Sequence, residues 1–161
     1  MMRLFILTLL APLVLSLTIN AQSFEKRLDS LSYLYDFTVE KLETDSLFQH
    51  KFLLGFSQPV NHKKPAGQSF TQRVFLSHIN YDAPVIFITE GYAAWHAENP
   101  KFVNELAGIL QVNQVCVEHR YFGESVPDSL NWDQLTIFNS ATDHHRIVDV
   151  LKILYKSKWI G

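Results

Sequence analysis

One run of five residues, Val85-Ile86-Phe87-Ile88-Thr89, limits what the rest of the chain can fold into. It carries no charge, and every residue in it favours extended backbone. Such a run has two apolar faces to hide, which is the property of a central parallel strand covered on both sides. The covering layers must be helices, so the chain reads as α/β. Val115-Cys116-Val117 has the same compact, apolar character. Between the two runs, Asn99 suits a helix N-cap and Pro100 a first helical position. Phe102, Val103, Leu106, Ile109 and Leu110 then predict an apolar stripe, and Asn113 a left-handed cap. Strand, helix and strand in this order predict a right-handed crossover between parallel neighbours.

Both runs end in charge and a turn. The first exits through Glu90-Gly91-Tyr92, the second through Glu118-His119-Arg120-Tyr121-Phe122-Gly123-Glu124-Ser125. Open α/β sheets place their sites at the C-terminal ends of strands. The competing reading of the second exit is an ion pair, Glu118 with Arg120, that pins a loop. Gly91 suits either a positive φ or a close approach of ligand to backbone.

The remaining elements follow from periodicity and turn chemistry. Apolar residues at steps of three and four over Phe24–Leu42 predict one helix, broken by Glu43-Thr44-Asp45-Ser46. Residues 51–60 and 69–79 read as an antiparallel strand pair joined by the turn-rich loop 61–67. Phe70, Val74, Leu76 and His78 share one parity of the second strand, and Gln72 interrupts it. Ser140, three residues before Asp143, resembles the N-terminal cap of a helix running to Ser157. Ile147, Val148, Val150, Leu151, Leu154 and Tyr155 form its inner side. His145, Asp149, Lys152 and Lys156 form its solvated side. Lys158-Trp159-Ile160-Gly161 starts a third parallel strand.

Composition removes several classes of function. The formal net charge of -2 over 161 residues offers no basic footprint for nucleic acid. Neither phosphate-binding glycine motif is present, so no nucleotide is expected. The single Cys116 reads as a small core residue, and no His pair has ligand spacing, so no metal and no cofactor are expected. Met1-Met2-Arg3, the apolar run Leu4–Leu17 and the small residue Ala21 have the form of a secretory signal peptide cleaved before Gln22. The run is short for a membrane span, which takes about 20 apolar residues. The expectation is export to the cell envelope or medium without a stable membrane anchor. The expected division is a signal peptide at 1–21, a helical segment at 22–50 and a partial catalytic domain at 51–161.

The order of elements matches the first half of an α/β-hydrolase: an antiparallel strand pair, then a mostly parallel sheet. In that fold the loop after the third strand gives a backbone N–H to the oxyanion hole. Here that loop is Thr89-Glu90-Gly91-Tyr92. The nucleophile elbow would follow the strand that begins near Trp159, and no G-x-S-x-G occurs in the chain.

Residues 118–125 resemble the Glu-His-Arg-aromatic-aromatic-Gly-x-Ser signature of the proline-specific serine peptidases related to prolyl carboxypeptidase and dipeptidyl peptidase II. Further stretches resemble the secreted bacterial prolyl tri/tetrapeptidyl aminopeptidases. These are Gln58–His62 with Phe70–Val74, Thr89–Tyr92, and Trp132–Ile137 with Asp143–Ile147. The resemblance covers residues 51–161. It implies release of short peptides from a free N-terminus after proline, with the triad serine, aspartate and histidine all beyond Gly161. It also implies oxyanion donors at Gly91 or Tyr92 and substrate contacts among Glu90, Glu118, Arg120 and Tyr121. Tyr92, Trp95 and Tyr121 are the aromatics available for a proline pocket. An esterase or lipase, or a non-catalytic secreted binding protein on the same partial fold, are the alternatives. The oligomeric state is left open.

Overall fold

The computed structural model describes residues 23–45 and 47–161. The expected signal peptide, its cleavage point before Gln22, and Ser46 lie outside the described residues. The described chain forms one six-stranded sheet, in the order β1-β2-β3-β5-β4-β6, flanked by helices.

Helix α1 spans Phe24–Tyr35, with the Ser23 side chain accepting from the Lys26 N–H at its start. It does not run on to Leu42. Asp36 takes a left-handed conformation (φ 55°) and stops it. Phe37–Leu42 then becomes strand β1, where Thr38 and Val39 suit extended backbone. The apolar steps from Tyr35 to Val39 to Leu42 mimicked a helix face. Phe37 faces its partner Phe56 across the ladder, with the rings stacked at 4.6 Å.

Strands β2 (His50–Pro59) and β3 (Ser69–His78) pair antiparallel over their full length, as the loop between them predicts. β4 (Val85–Thr89) and β5 (Asn113–Val117) are parallel neighbours, and β6 (Trp159–Ile160) adds to β4 in parallel. The expectation of a mostly parallel sheet needs correction. β1 with β2, β2 with β3 and β3 with β5 are antiparallel, whereas only β4 with β5 and β4 with β6 are parallel. The extra antiparallel pair at β1 is the one hidden by its helix-like spacing.

Two layers cover the sheet. On one face α1 and α3 (Ile137–Leu151) pack Leu28, Leu31, Ile147 and Leu151 against Phe52, Leu54, Val74, Val115 and Val117. On the other, Ala97 of a short 3₁₀ turn (Trp95–Glu98) packs on Phe75 and Cys116, and Ala107 of α2 (Glu105–Leu110) on Ile86. Every residue of β5 is therefore buried, as its composition requires.

Four further helix boundaries differ from expectation. The helix expected at Asn99-Pro100 is displaced: Asn99 closes the 3₁₀ turn, and α2 starts at Glu105, capped by the Asn104 side chain. Leu106, Ile109 and Leu110 point outward, and the small Ala107 faces the sheet. The left-handed cap falls on Gln111, not Asn113, whose side chain instead accepts from the Ile79 N–H inside the fold. Helix α3 is capped by Thr136, whose hydroxyl accepts from the Asn139 N–H at 3.1 Å, and ends at Leu151. Ser140 and Asp143 thus lie within the helix.

Candidate functional site

β4 and β5 run in parallel and deliver their exits side by side. The Glu90 N–H donates to Val117 O, and the His119 N–H to Tyr92 O, both at 3.1 Å. The ladder thus continues one step past each strand and fixes the spacing of the two loops.

The first exit is open. Gly91 and Tyr92 are exposed, and a side chain added at Gly91 would meet nothing within 4 Å. Among the described residues, neither amide N–H has an acceptor. Gly91 does not use a positive φ. Its missing side chain clears space in front of the backbone. The Glu90 side chain is 26% exposed; one carboxylate oxygen lies 3.3 Å from His96 Nε2 and accepts from Cys116 Sγ at 3.7 Å. Tyr92 stands edge-on to Phe122 at 5.0 Å, and Trp95 is also exposed.

The second exit is closed. Glu118 is fully buried. Its Oε1 accepts from the Glu124 N–H, the Ser125 N–H and the Ser125 hydroxyl at 2.9–3.0 Å. Its Oε2 accepts from the Ala94 N–H at 2.9 Å, which ties the two exit loops together. Gly123 closes the tight turn at φ 56°, and a Cβ there would overlap the Glu118 carboxylate. Arg73, also buried, lies 3.9 Å from Glu118 and pairs with Glu98 at the surface.

Arg120 does not pair with Glu118. Its guanidinium is wholly buried and forks onto Asp143 of α3, with Nε to Oδ2 at 2.7 Å and Nη2 to Oδ1 at 3.0 Å. The other donors reach Val60 O, Gln134 O and Pro59 O at 2.9–3.1 Å. All five N–H groups of a guanidinium are thereby used. Asp143 also holds His62 Nε2 at 2.6 Å. The cluster clamps the β2 exit, the β5 exit, the 131–135 loop and α3 to one another. Tyr121 is buried in left-handed backbone (φ 73°), and its hydroxyl donates to Asn131 O at 2.8 Å.

Of the residues singled out in the sequence, Glu90, Gly91 and Tyr92 stand at the surface. Glu118, Arg120 and Tyr121 lie beneath them as scaffold. Asp143 was missed. Its signal was present: Asn139, Asp143, Ile147 and Leu151 are four apart, so a carboxylate sits in line with the buried stripe. Beside the second exit, His119, Leu135, Thr136, Ile137, Ser140, Ala141 and His144 line a recess of about 380 Å³. Burial lowers the His144 pKa below its ordinary value. Another recess lies elsewhere, between residues 41–45 and 99–101, and brings Lys41, Glu43, Asp45 and Lys101 together with Leu42, Thr44, Asn99 and Pro100.

The chain is 36% identical over 109 residues to a prolyl tri/tetrapeptidyl aminopeptidase of Streptomyces mobaraensis. The match takes in 68% of this chain, which spans 22% of the length of that relative. The family model described as PS-10 peptidase S37 matches residues 23–161. The chain belongs to the PS-10 peptidase S37 family.

Proposed function

We propose that the chain forms the first part of an α/β-hydrolase serine peptidase, exported from the cell, that releases short peptides from free N-termini after proline. The observation that carries this reading is the open β4 exit: two exposed residues, Gly91 and Tyr92, whose amides have no acceptor among the described residues, at the C-terminal end of a parallel strand. In acyl transfer such amides meet the oxyanion of the tetrahedral intermediate. Gly91 or Tyr92 is the donor, and the missing Cβ at Gly91 lets the reacting carbonyl approach. Of the two exit acids, Glu90 is the one a peptide amine can reach, because the Glu118 carboxylate is enclosed. Tyr92 and Trp95 are the exposed aromatics beside it and supply apolar surface for proline. The attacking serine belongs to an elbow following β6, and the triad base and acid come later in the protein.

The test uses the full-length protein that carries this chain. Peptides with a free N-terminus and an internal proline should be cleaved after proline, and p-nitrophenyl esters turned over poorly. Preference for the ester would favour an esterase, and no turnover of either a non-catalytic binder. Proline at position 91 or 92 removes one N–H. At the donor position kcat should fall roughly 100- to 1000-fold. If neither variant loses activity, the oxyanion assignment is wrong. Export is checked by N-terminal sequencing of protein from the envelope or medium: the chain should begin at Gln22, and an intact Met1 in the cytoplasm would refute it.

A further inference from the structure

Three elements meet beside the open exit, and each contributes one metal-ligating atom. Glu90 follows β4, His96 lies on the 3₁₀ turn and Cys116 on β5. We propose that Glu90, His96 and Cys116 form a binding site for a borderline-soft divalent cation, of which Zn²⁺ fits best.

The argument is geometric. Zinc holds nitrogen and oxygen at about 2.0–2.1 Å and thiolate sulfur at about 2.3 Å, in a tetrahedron. Two N/O ligands on such a centre are then about 3.3 Å apart, and sulfur is about 3.5 Å from either. Here His96 Nε2 lies 3.3 Å from the Glu90 carboxylate, and Cys116 Sγ lies 3.7 Å from it. All three ligand atoms fall within 4.8 Å of one another. The set needs little rearrangement to close on one ion.

The ligand types choose the ion. A thiolate with an imidazole selects zinc-like cations over Mg²⁺ or Ca²⁺, which take oxygen. Binding exchanges the thiol proton for the metal, so Cys116 becomes a thiolate and one proton leaves to solvent. Burial, and then the charge of Glu90, push the Cys116 thiol well above its ordinary pKa, so the cation must displace a proton that the empty site holds. His96 is 47% exposed and Glu90 26%, so the outer side of the site opens to water, which can take the fourth position. Residues 90, 96 and 116 follow no sequence spacing for metal, and only the parallel pairing of β4 with β5 joins them. A cation here and a peptide amine would compete for the same Glu90 carboxylate.

Binding is read without any peptidase assay. Co²⁺ is titrated into the full-length protein, stripped of metal with chelator. The expected result is one equivalent bound, with thiolate-to-cobalt charge-transfer absorption, displaced by Zn²⁺ and not by Mg²⁺. Cys116→Ser should abolish the absorption. His96→Ala alters an exposed side chain, leaves the fold intact, and should weaken Co²⁺ at least about tenfold. Absence of the thiolate absorption at saturating Co²⁺ would overturn the proposal. So would unchanged Co²⁺ affinity in His96→Ala.

Discussion

The exits of β4 and β5 read almost alike and behave as opposites. Each places a glutamate just past an apolar strand, with a tyrosine and a glycine close behind. At the β5 exit the glutamate is enclosed by four hydrogen bonds, the glycine is bent into a left-handed turn around it, and the tyrosine hydroxyl is satisfied. At the β4 exit the glutamate and tyrosine reach solvent, and the two amides after the glutamate have no acceptor among the described residues. Ionisable residues at a strand end therefore divide into those that build the loop and those that the loop presents. The division follows burial: a carboxylate enclosed without its donors would be strongly unfavourable, so Glu118 is buried only because the loop supplies them.

The largest expected effect falls on the closed exit. In the full-length protein, Asp143→Ala leaves the Arg120 guanidinium buried with its carboxylate gone. Breaking a buried pair in this way costs about 3–5 kcal/mol. The urea midpoint should drop accordingly, and activity should fall with the folded population. If Asp143→Ala unfolds at the same urea concentration as the parent, the clamp does not hold the β5 exit and the comparison fails.

How far the sequence could reveal this depends on the range of the interaction. Val115–Val117 announced a buried strand because burial on both faces leaves no place for a polar residue. Val85–Thr89 is buried only at Val85 and Ile86, and is progressively uncovered from Phe87 to the exposed Thr89, toward its exit. β1 was hidden because Tyr35, Val39 and Leu42 also fit a helix, and only the left-handed turn at Asp36 decides between them. Gln72, which interrupts the apolar parity of β3, is buried: it accepts from Gln58 and donates to Glu118 O. The partner of Arg120 could not be read locally, because Asp143 is 23 residues away and on a helix. His62, tied to the same aspartate, is 81 residues away from it. The open exit is a local feature by contrast: the exposure of Gly91 and Tyr92 involves consecutive residues and no distant partner.

Acid should loosen the scaffold in a way that could be mistaken for titration of the open exit. His78 is buried on β3, stacked on Phe24 at 3.8 Å and 2.9 Å from the Tyr155 hydroxyl. Burial first, and then the charge of His50, holds its pKa down to about 4 from an ordinary 6.5. Below pH 6.5 the unfolded chain takes up a proton that the folded chain refuses. Stability therefore falls as pH drops from 6.5 to 4, by about 3 kcal/mol when complete. Above 6.5 the histidine is neutral in both states and adds no slope. Urea midpoints across pH 4–7 should show this fall, and His78→Gln should flatten it. An unchanged slope in that variant would assign the acid sensitivity elsewhere. The variant then serves as the background on which the pH dependence of activity is measured.

The smallest effect is the most specific to the open exit, and Glu90→Gln isolates it. The substitution keeps the size and hydrogen-bonding reach of the side chain and removes its charge. The carboxylate is partly exposed, and its described partners are an exposed histidine and a thiol. The stability change should stay within about 0.5 kcal/mol, as for ordinary surface positions. A hydrogen bond to a charged group is worth about 1.5–3 kcal/mol, so kcat/KM for a free-amine peptide should fall roughly 10- to 100-fold. The same peptide with an acetylated N-terminus has no charge for Glu90 to hold, so its slower cleavage should be unchanged by the substitution. Equal losses on both peptides would mean that Glu90 positions the loop, as Glu118 does, and the contrast between the two exits would disappear. Loss confined to the free-amine peptide, with an unshifted urea midpoint, would place amine recognition at the exit of β4.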